Sequence, residues 1–246
     1  MTKWREHNIH DNEDDSGNDS DAQKEFVFNL FEEESDKILI HDFKSKSTAA
    51  DITIQLIGRE ECNTSTGLAV WGGAETLCDY LLEERDCGSP SQIFRRGQSR
   101  VLELGAGLGL CGIFVAHAFE PVKVVLSDGD VDVLERLETN IKENQATNGA
   151  LVLPAQLIWG QNLDAFQNMH GKFDVIIASE CMYMGPSLQS IWETVNHLLD
   201  TCGVFLYVHQ ASSQVPKEKV LERAAYCGFE WTTSTSFPLI HLFRRK

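Results

Sequence analysis

Val101-Leu-Glu-Leu-Gly-Ala-Gly-Leu-Gly-Leu110 joins a buried-strand pattern to glycines at alternate positions, with one acidic side chain, Glu103, two residues before the first glycine. Glycines so spaced let the backbone leave a strand, turn tightly and bring its N–H groups against a ligand that a Cβ would keep away. The stretch therefore points to a nucleotide-like ligand at the end of a strand. Taken alone it leaves open a dinucleotide, another nucleotide-like group or a plain tight turn.

Downstream of this turn, strands and helices alternate. A strand at 101–104 leads to a helix near 109–119, and Val122-Lys-Val-Val-Leu-Ser127 leads to a helix near 130–144 with Leu134, Leu137 and Ile141 on one face. A third strand is expected at 156–159, a fourth at 173–178, then a helix carrying Leu188, Ile191, Trp192, Val195 and Leu198, and a strand at 203–209. A helix from Pro216 closes at Gly228, where a C-terminal cap belongs. Such alternation means a mostly parallel sheet with helices on both faces. The runs Phe229-Glu-Trp-Thr-Thr-Ser and Leu239-Ile-His-Leu-Phe lie too close together for a crossover helix. They form a hairpin that adds an antiparallel strand, and the resulting seven-stranded sheet resembles that of methyltransferases more than a six-stranded dinucleotide fold.

Upstream, Thr66-Gly-Leu-Ala-Val-Trp-Gly-Gly-Ala74 runs into a helix with Ala74, Leu77, Cys78, Leu81 and Leu82 at three-four spacing, ended by a loop at Gly88, Ser89 and Pro90. Residues 23–65 carry short β-type runs, Phe26-Val-Phe, Ile38-Leu-Ile and Ile52-Thr-Ile-Gln-Leu-Ile, and read as a small N-terminal β extension. Residues 1–22 are acidic and almost without apolar side chains after Trp4, a composition expected of a disordered tail. The expected organisation is thus tail, extension and one α/β domain at 66–246.

The chain has 37 Asp plus Glu against 21 Lys plus Arg, a formal net charge of −16, which disfavours nucleic acid and favours a basic partner. Its seven cysteines, at 62, 78, 87, 111, 181, 202 and 227, form no C-x-x-C pair, so neither a disulfide framework nor a zinc site is expected. The eight histidines show no H-x-x-H spacing, and no metal is expected. No apolar run reaches the roughly eighteen residues of a membrane span. The reading is of a soluble, monomeric, cytoplasmic protein, with the nucleus also open to it, binding neither membrane nor nucleic acid.

Gly107-Leu-Gly109-Leu-Cys-Gly112 matches the dinucleotide pattern G-x-G-x-x-G, but counted from Gly105, the glycine that closes the strand, the third position falls on Leu110. Read as E-x-G-x-G-x-G from Glu103, the stretch resembles the first motif of class I S-adenosylmethionine-dependent methyltransferases. Asp128 ends the second strand, where a carboxylate can accept from both hydroxyls of a ribose; Asp130, two residues on, suits a helix N-cap. Trp159 and Trp71 offer indoles that can wall a site or simply pack. Phe173-Asp-Val-Ile-Ile-Ala-Ser-Glu-Cys-Met-Tyr183 delivers Glu180 and Tyr183 to the carboxyl edge of the sheet.

A D/E-x-x-Y/F sequence at that point, with Thr66 to Ala74 upstream and Leu157-Ile-Trp159 at strand three, resembles the family 16 methyltransferases, also called lysine methyltransferase-like, over roughly residues 64–243. The resemblance implies that S-adenosylmethionine is the cofactor, that Trp71, Glu103, Gly105, Ala106, Gly107, Asp128, Trp159 and Ser179 contact it, and that Glu180 and Tyr183 are the catalytic pair facing the substrate. It also implies a protein substrate with a basic or lysine-bearing surface. Ser179 stands where a small apolar residue is frequent, and Glu180 where many lysine enzymes carry Asp. A histidine, arginine or small-molecule acceptor, or a scaffold without turnover, stays open at this point.

Overall fold

The computed structural model describes residues 36–47, 49–59, 65–87, 93–94, 97–210 and 213–246. The acidic segment 1–22, the run Phe26–Phe28 and the loop Gly88–Pro90 lie outside the described residues. Two strands, β1 (Lys37–Phe43) and β2 (Ile52–Gly58), pair antiparallel. A 3-10 turn at Thr66–Leu68 follows, then α1 (Gly72–Asp86), β3 (Arg100–Leu104), α2 (Leu110–Phe119), β4 (Lys123–Asp128), α3 (Val131–Glu143) and β5 (Leu151–Gln156). The chain continues through α4 (Leu163–His170), β6 (Phe173–Ser179), α5 (Gly185–Leu198), β7 (Leu199–Val208), α6 (Lys217–Tyr226), β8 (Phe229–Thr233) and β9 (Ile240–Arg245).

The sheet has seven strands in the order β5-β4-β3-β6-β7-β9-β8. β3 pairs parallel with β4 and β6, while β9 inserts antiparallel between β7 and β8. Alternate residues of each strand serve opposite cores, as a period of two requires. Val101, Val124, Leu126, Val175, Ile177 and Leu206 face α1, α2 and α3. Leu102, Leu104, Val125, Ile176, Ala178 and Phe205 face α4, α5 and α6. α2 is apolar around nearly its whole circumference because α1 and β2 cover its outer side. The hairpin β1–β2 thus forms a further layer on one face: Ile54 and Leu56 are fully buried, while Ile38 and Ile40 on the outer side stay exposed.

Three elements differ from the sequence reading. The third strand is Leu151–Gln156 rather than 156–159, and Trp159 lies in the loop beyond it. Pro154 argues against a strand, but β5 is the edge of the sheet and needs a ladder on one side only. The helix α4 was not expected; it is eight residues long and buries only Phe166. β7 begins at Leu199 instead of 203, reached through a register irregularity opposite Phe173 and Val175. Among the described residues no helix is long and apolar enough to cross a membrane.

The polar residue Asn140 is fully buried on the inner face of α3. Its Oδ1 accepts from the Ile57 N–H at 2.8 Å, and its Nδ2 donates to the Leu108 carbonyl at 3.0 Å and to the Ile57 carbonyl at 3.2 Å. One amide therefore fastens β2 to the glycine turn that follows β3. Asn144, a turn further along, repeats the grip on Gln55.

Candidate functional site

At β3 the chain order reverses, β4 and β5 lying to one side and β6 and β7 to the other, which is where open α/β sheets leave a crevice at their carboxyl edge. A cavity of about 490 Å³ occupies this place, a volume suited to a small organic ligand. Trp71, Glu103, Gly105, Ala106, Gly107, Asp128, Trp159, Ser179, Glu180 and Tyr183 all line it, so the structure brings together every residue singled out from sequence.

The glycine turn forms the floor. Gly105 has φ +62°, and a Cβ there would lie 2.7 Å from Cys181 Sγ and 3.2 Å from Trp159 Cζ2. Gly107 has φ +52°, and a Cβ would stand 3.1 Å from the Gly67 carbonyl. Left-handed backbone and close approach both exclude a side chain. Behind the turn, buried Glu103 accepts from the Gly112 N–H at 2.8 Å, holding the first turn of α2, and a Cβ on Gly112 would meet its Oε2 at 2.6 Å. Burial pushes the Glu103 carboxyl up to about 8, against the lowering effect of that N–H.

Asp128 ends β4. Its Oδ2 accepts from Gly107 N–H and its Oδ1 from Asp130 N–H, each at 3.1 Å, which fixes the orientation of both oxygens. Burial nonetheless raises its pKa. Asp130 caps α3, accepting from Asp132 N–H at 3.0 Å. Trp159 presents its ring edge to Gly105, and its buried Nε1 has no partner among the described residues. Trp71 precedes α1, is 45% exposed and donates from Nε1 to the Thr66 carbonyl at 2.8 Å.

The other wall is the exit of β6. Ser179 ends the strand, and Glu180 follows in the left-handed region at φ +56°, its N–H donating to the Val208 carbonyl at 3.0 Å. Burial raises the Glu180 pKa, partly offset by a hydrogen bond from the Gly73 N–H. Cys181 is buried beneath, its thiol donating to the Leu104 carbonyl at 3.1 Å, and burial holds it as an inert thiol. Tyr183 stands at the mouth, 37% exposed. Gln210, Ser213 and Gln214 also line the cavity from the loop after β7. Sequence reasoning missed them, although the same carboxyl-edge logic extended one strand further would have marked that loop. Among the described residues no group of three or more His, Cys, Asp or Glu side chains is arranged to hold a metal ion.

The sequence model of the lysine methyltransferase family matches residues 50–223. The chain belongs to the lysine methyltransferase family. Over 136 residues it is 33% identical to a calmodulin-lysine N-methyltransferase of Arabidopsis thaliana, covering 55% of this chain and 42% of that one. Over 158 residues it is 32% identical to the protein N-lysine methyltransferase METTL21A of Mus musculus, covering 64% and 66%. The chain thus spans between two fifths and two thirds of the length of these relatives. The fibrillarin/Nop5p crystal structure superposes with a TM-score of 0.51 at 16% identity, over 87% of this chain and 98% of that one, a likeness of fold alone. S-adenosylmethionine is the cofactor of this family and fold. The site fits it: a left-handed glycine turn with no room for a side chain, a hydrogen-bonded carboxylate at Asp128 for hydroxyls, and the Glu180 carboxyl group facing a ligand that carries positive charge.

Proposed function

We propose that this chain is an S-adenosylmethionine-dependent protein methyltransferase acting on a lysine Nε of a folded protein. The observation that carries this reading is the shared cavity of the glycine floor at Gly105–Gly107 and the pair Glu180 and Tyr183 at its mouth. The backbone at Gly105, Ala106 and Gly107, together with Glu103, Asp128, Trp159, Ser179 and Trp71, would hold the cofactor, Asp128 through its ribose hydroxyls and Trp159 against its base. When bound, the cofactor supplies an electrophilic methyl group on a sulfonium.

A lysine arrives as an ammonium with no lone pair to attack. Glu180, half-buried, draws that cation into the cavity, and the proton then leaves to water, so that the neutral Nε lies in line with the methyl. Tyr183 presents its ring or its hydroxyl to the incoming group, a cation–π contact worth about 0.5–2 kcal/mol. On this reading the protein is a cytoplasmic monomer, and its net charge of −16 suits a substrate that is basic around the target lysine.

Incubation with methyl-labelled cofactor and a protein extract, followed by mass spectrometry of the labelled band, tests the proposal. Methyl-lysine in one or a few proteins is expected, with labelling strongly reduced in Glu180→Ala. Label on histidine, arginine or a small molecule would replace the acceptor, and absence of cofactor binding by calorimetry would remove the enzyme reading altogether.

A further inference from the structure

Glu180 is one of three non-glycine residues with positive φ among those described. The other two are Glu120, the C-cap of α2, where such a backbone is routine, and Asn162, whose short polar side chain tolerates it. Glu180 is instead the first residue beyond a buried strand, and its strained conformation persists only because its surroundings fix it. Two contacts do so. Its N–H is tied to Val208 of β7, and its side chain packs closely against Gly73 at the start of α1.

Gly73 is the second residue of α1, where the N–H groups have no partner within the helix. The approach is close: a Cβ on Gly73 would lie 2.5 Å from Glu180 Cγ, 2.6 Å from Oε1 and 2.7 Å from Cδ. Gly73 is buried, is not among the residues lining the cavity, and has ordinary helical φ, so neither ligand contact nor backbone geometry calls for glycine there. The Glu180 side chain does. At neighbouring Gly72 a Cβ would meet nothing within 4 Å, so the tight fit belongs to Gly73 rather than to the Gly-Gly pair.

We propose that Gly73 is a positioning residue for methyl transfer: by lacking a side chain, it lets the start of α1 grip the Glu180 carboxylate and hold it at the cavity mouth. The inference rests on the role proposed above for Glu180 and adds the element that sets it. It also accounts for glutamate at this position. An aspartate, one methylene shorter, would keep the charge and lose the reach to the helix. Because Trp71 and Gly73 flank the same helix start, the grip ties the acidic side of the mouth to its indole side.

The test combines amide spectroscopy with a double-mutant cycle. In the parent protein the Gly73 amide resonance follows the ionisation of Glu180 with a single midpoint; the response vanishes in Glu180→Ala and shrinks in Glu180→Asp. This readout needs no substrate, so it stands or falls separately from the lysine reading. In the labelling assay Gly73→Ala lowers the initial rate by about a hundredfold, the scale expected when a reacting group is displaced by about an ångström, while cofactor affinity changes less than about twofold. In the Glu180→Ala background the same substitution costs no further rate. Glu180→Asp, which adds no atoms to the helix, loses about tenfold or more and carries the test if Gly73→Ala fails to fold. A Gly73 amide indifferent to Glu180, losses that add in the double variant, or a fully active Glu180→Asp would each overturn the assignment. An intact amide response with no lysine labelling would instead leave the grip standing and overturn the acceptor.

Discussion

Two neighbouring strands leave the sheet at the cavity, and they do so by opposite means. After β3 the chain turns on glycines, offering backbone N–H groups and empty space, and is anchored from behind by the side chains of Glu103 and Asn140. After β6 it turns on a glutamate held in the left-handed region by contacts with β7 and α1, and offers a carboxyl group and a phenol. The first turn is shaped to receive a ligand closely. The second positions reactive side chains and accepts strain to do so. A cofactor common to many enzymes needs the former, and the choice of acceptor needs the latter, so damage to the two turns should separate binding from turnover.

Gly105→Ala attacks the first turn hardest, since the new Cβ meets Cys181 Sγ at 2.7 Å with φ at +62°. Cofactor affinity by calorimetry should fall by about a hundredfold or more, equivalent to about 3 kcal/mol. Unchanged affinity would show that the turn is no cradle. Asn140→Ala comes next. It leaves the Ile57 N–H and the Leu108 carbonyl buried without their partner, at about 1–3 kcal/mol for each unsatisfied group. Thermal melts should move down by several degrees and cofactor affinity should weaken, while kcat at saturating cofactor holds; a melt within a degree of the parent would remove the anchor from the account.

Tyr183→Ala sharpens the other side. The loss of about 0.5–2 kcal/mol should appear as a raised KM for the protein acceptor, with cofactor affinity untouched. An equal effect on both would blur the division between the turns. The smallest expected effect is on pH dependence. Burial raises the Glu103 carboxyl from its ordinary range to about 8. Its contribution to stability is therefore complete below about pH 4.5 and is lost as pH rises through about 8. Melting temperatures of the parent should fall faster between pH 5 and 9, on the order of a few degrees, than those of Glu103→Gln; parallel curves would argue that Glu103 is ionised in the folded protein.

The same contrast governs how much was legible in the sequence. Glycine spacing, strand–helix alternation and the short link before the final strand stand in the primary structure, because local conformation and packing demand particular residue types there. Asp128 and Glu180 were readable from their position at strand ends. The left-handed backbone of Glu180 was not: neither glycine nor asparagine marks it, and the contacts that hold it come from β7 and α1, distant in sequence. Asn140 escaped notice for a related reason, since a polar side chain on an amphipathic helix reads as outward until its three partners are found on two other elements. The third strand lies at Leu151–Gln156, where Pro154 is tolerated because β5 is an edge, which is a property of the whole sheet.

The insertion of β9 between β7 and β8 bears on how the molecule is made. β8 leaves the ribosome first, yet its ladder partner is β9 alone, and until residues 240–245 arrive the hydrogen-bonding edge of β7 is open as well. Both edges stay adhesive until β9 is in place. A nascent chain stalled before Ile240 would thus present two unsatisfied strand edges to its surroundings, and the arrival of β9 is the step at which the sheet ceases to be a template for aggregation.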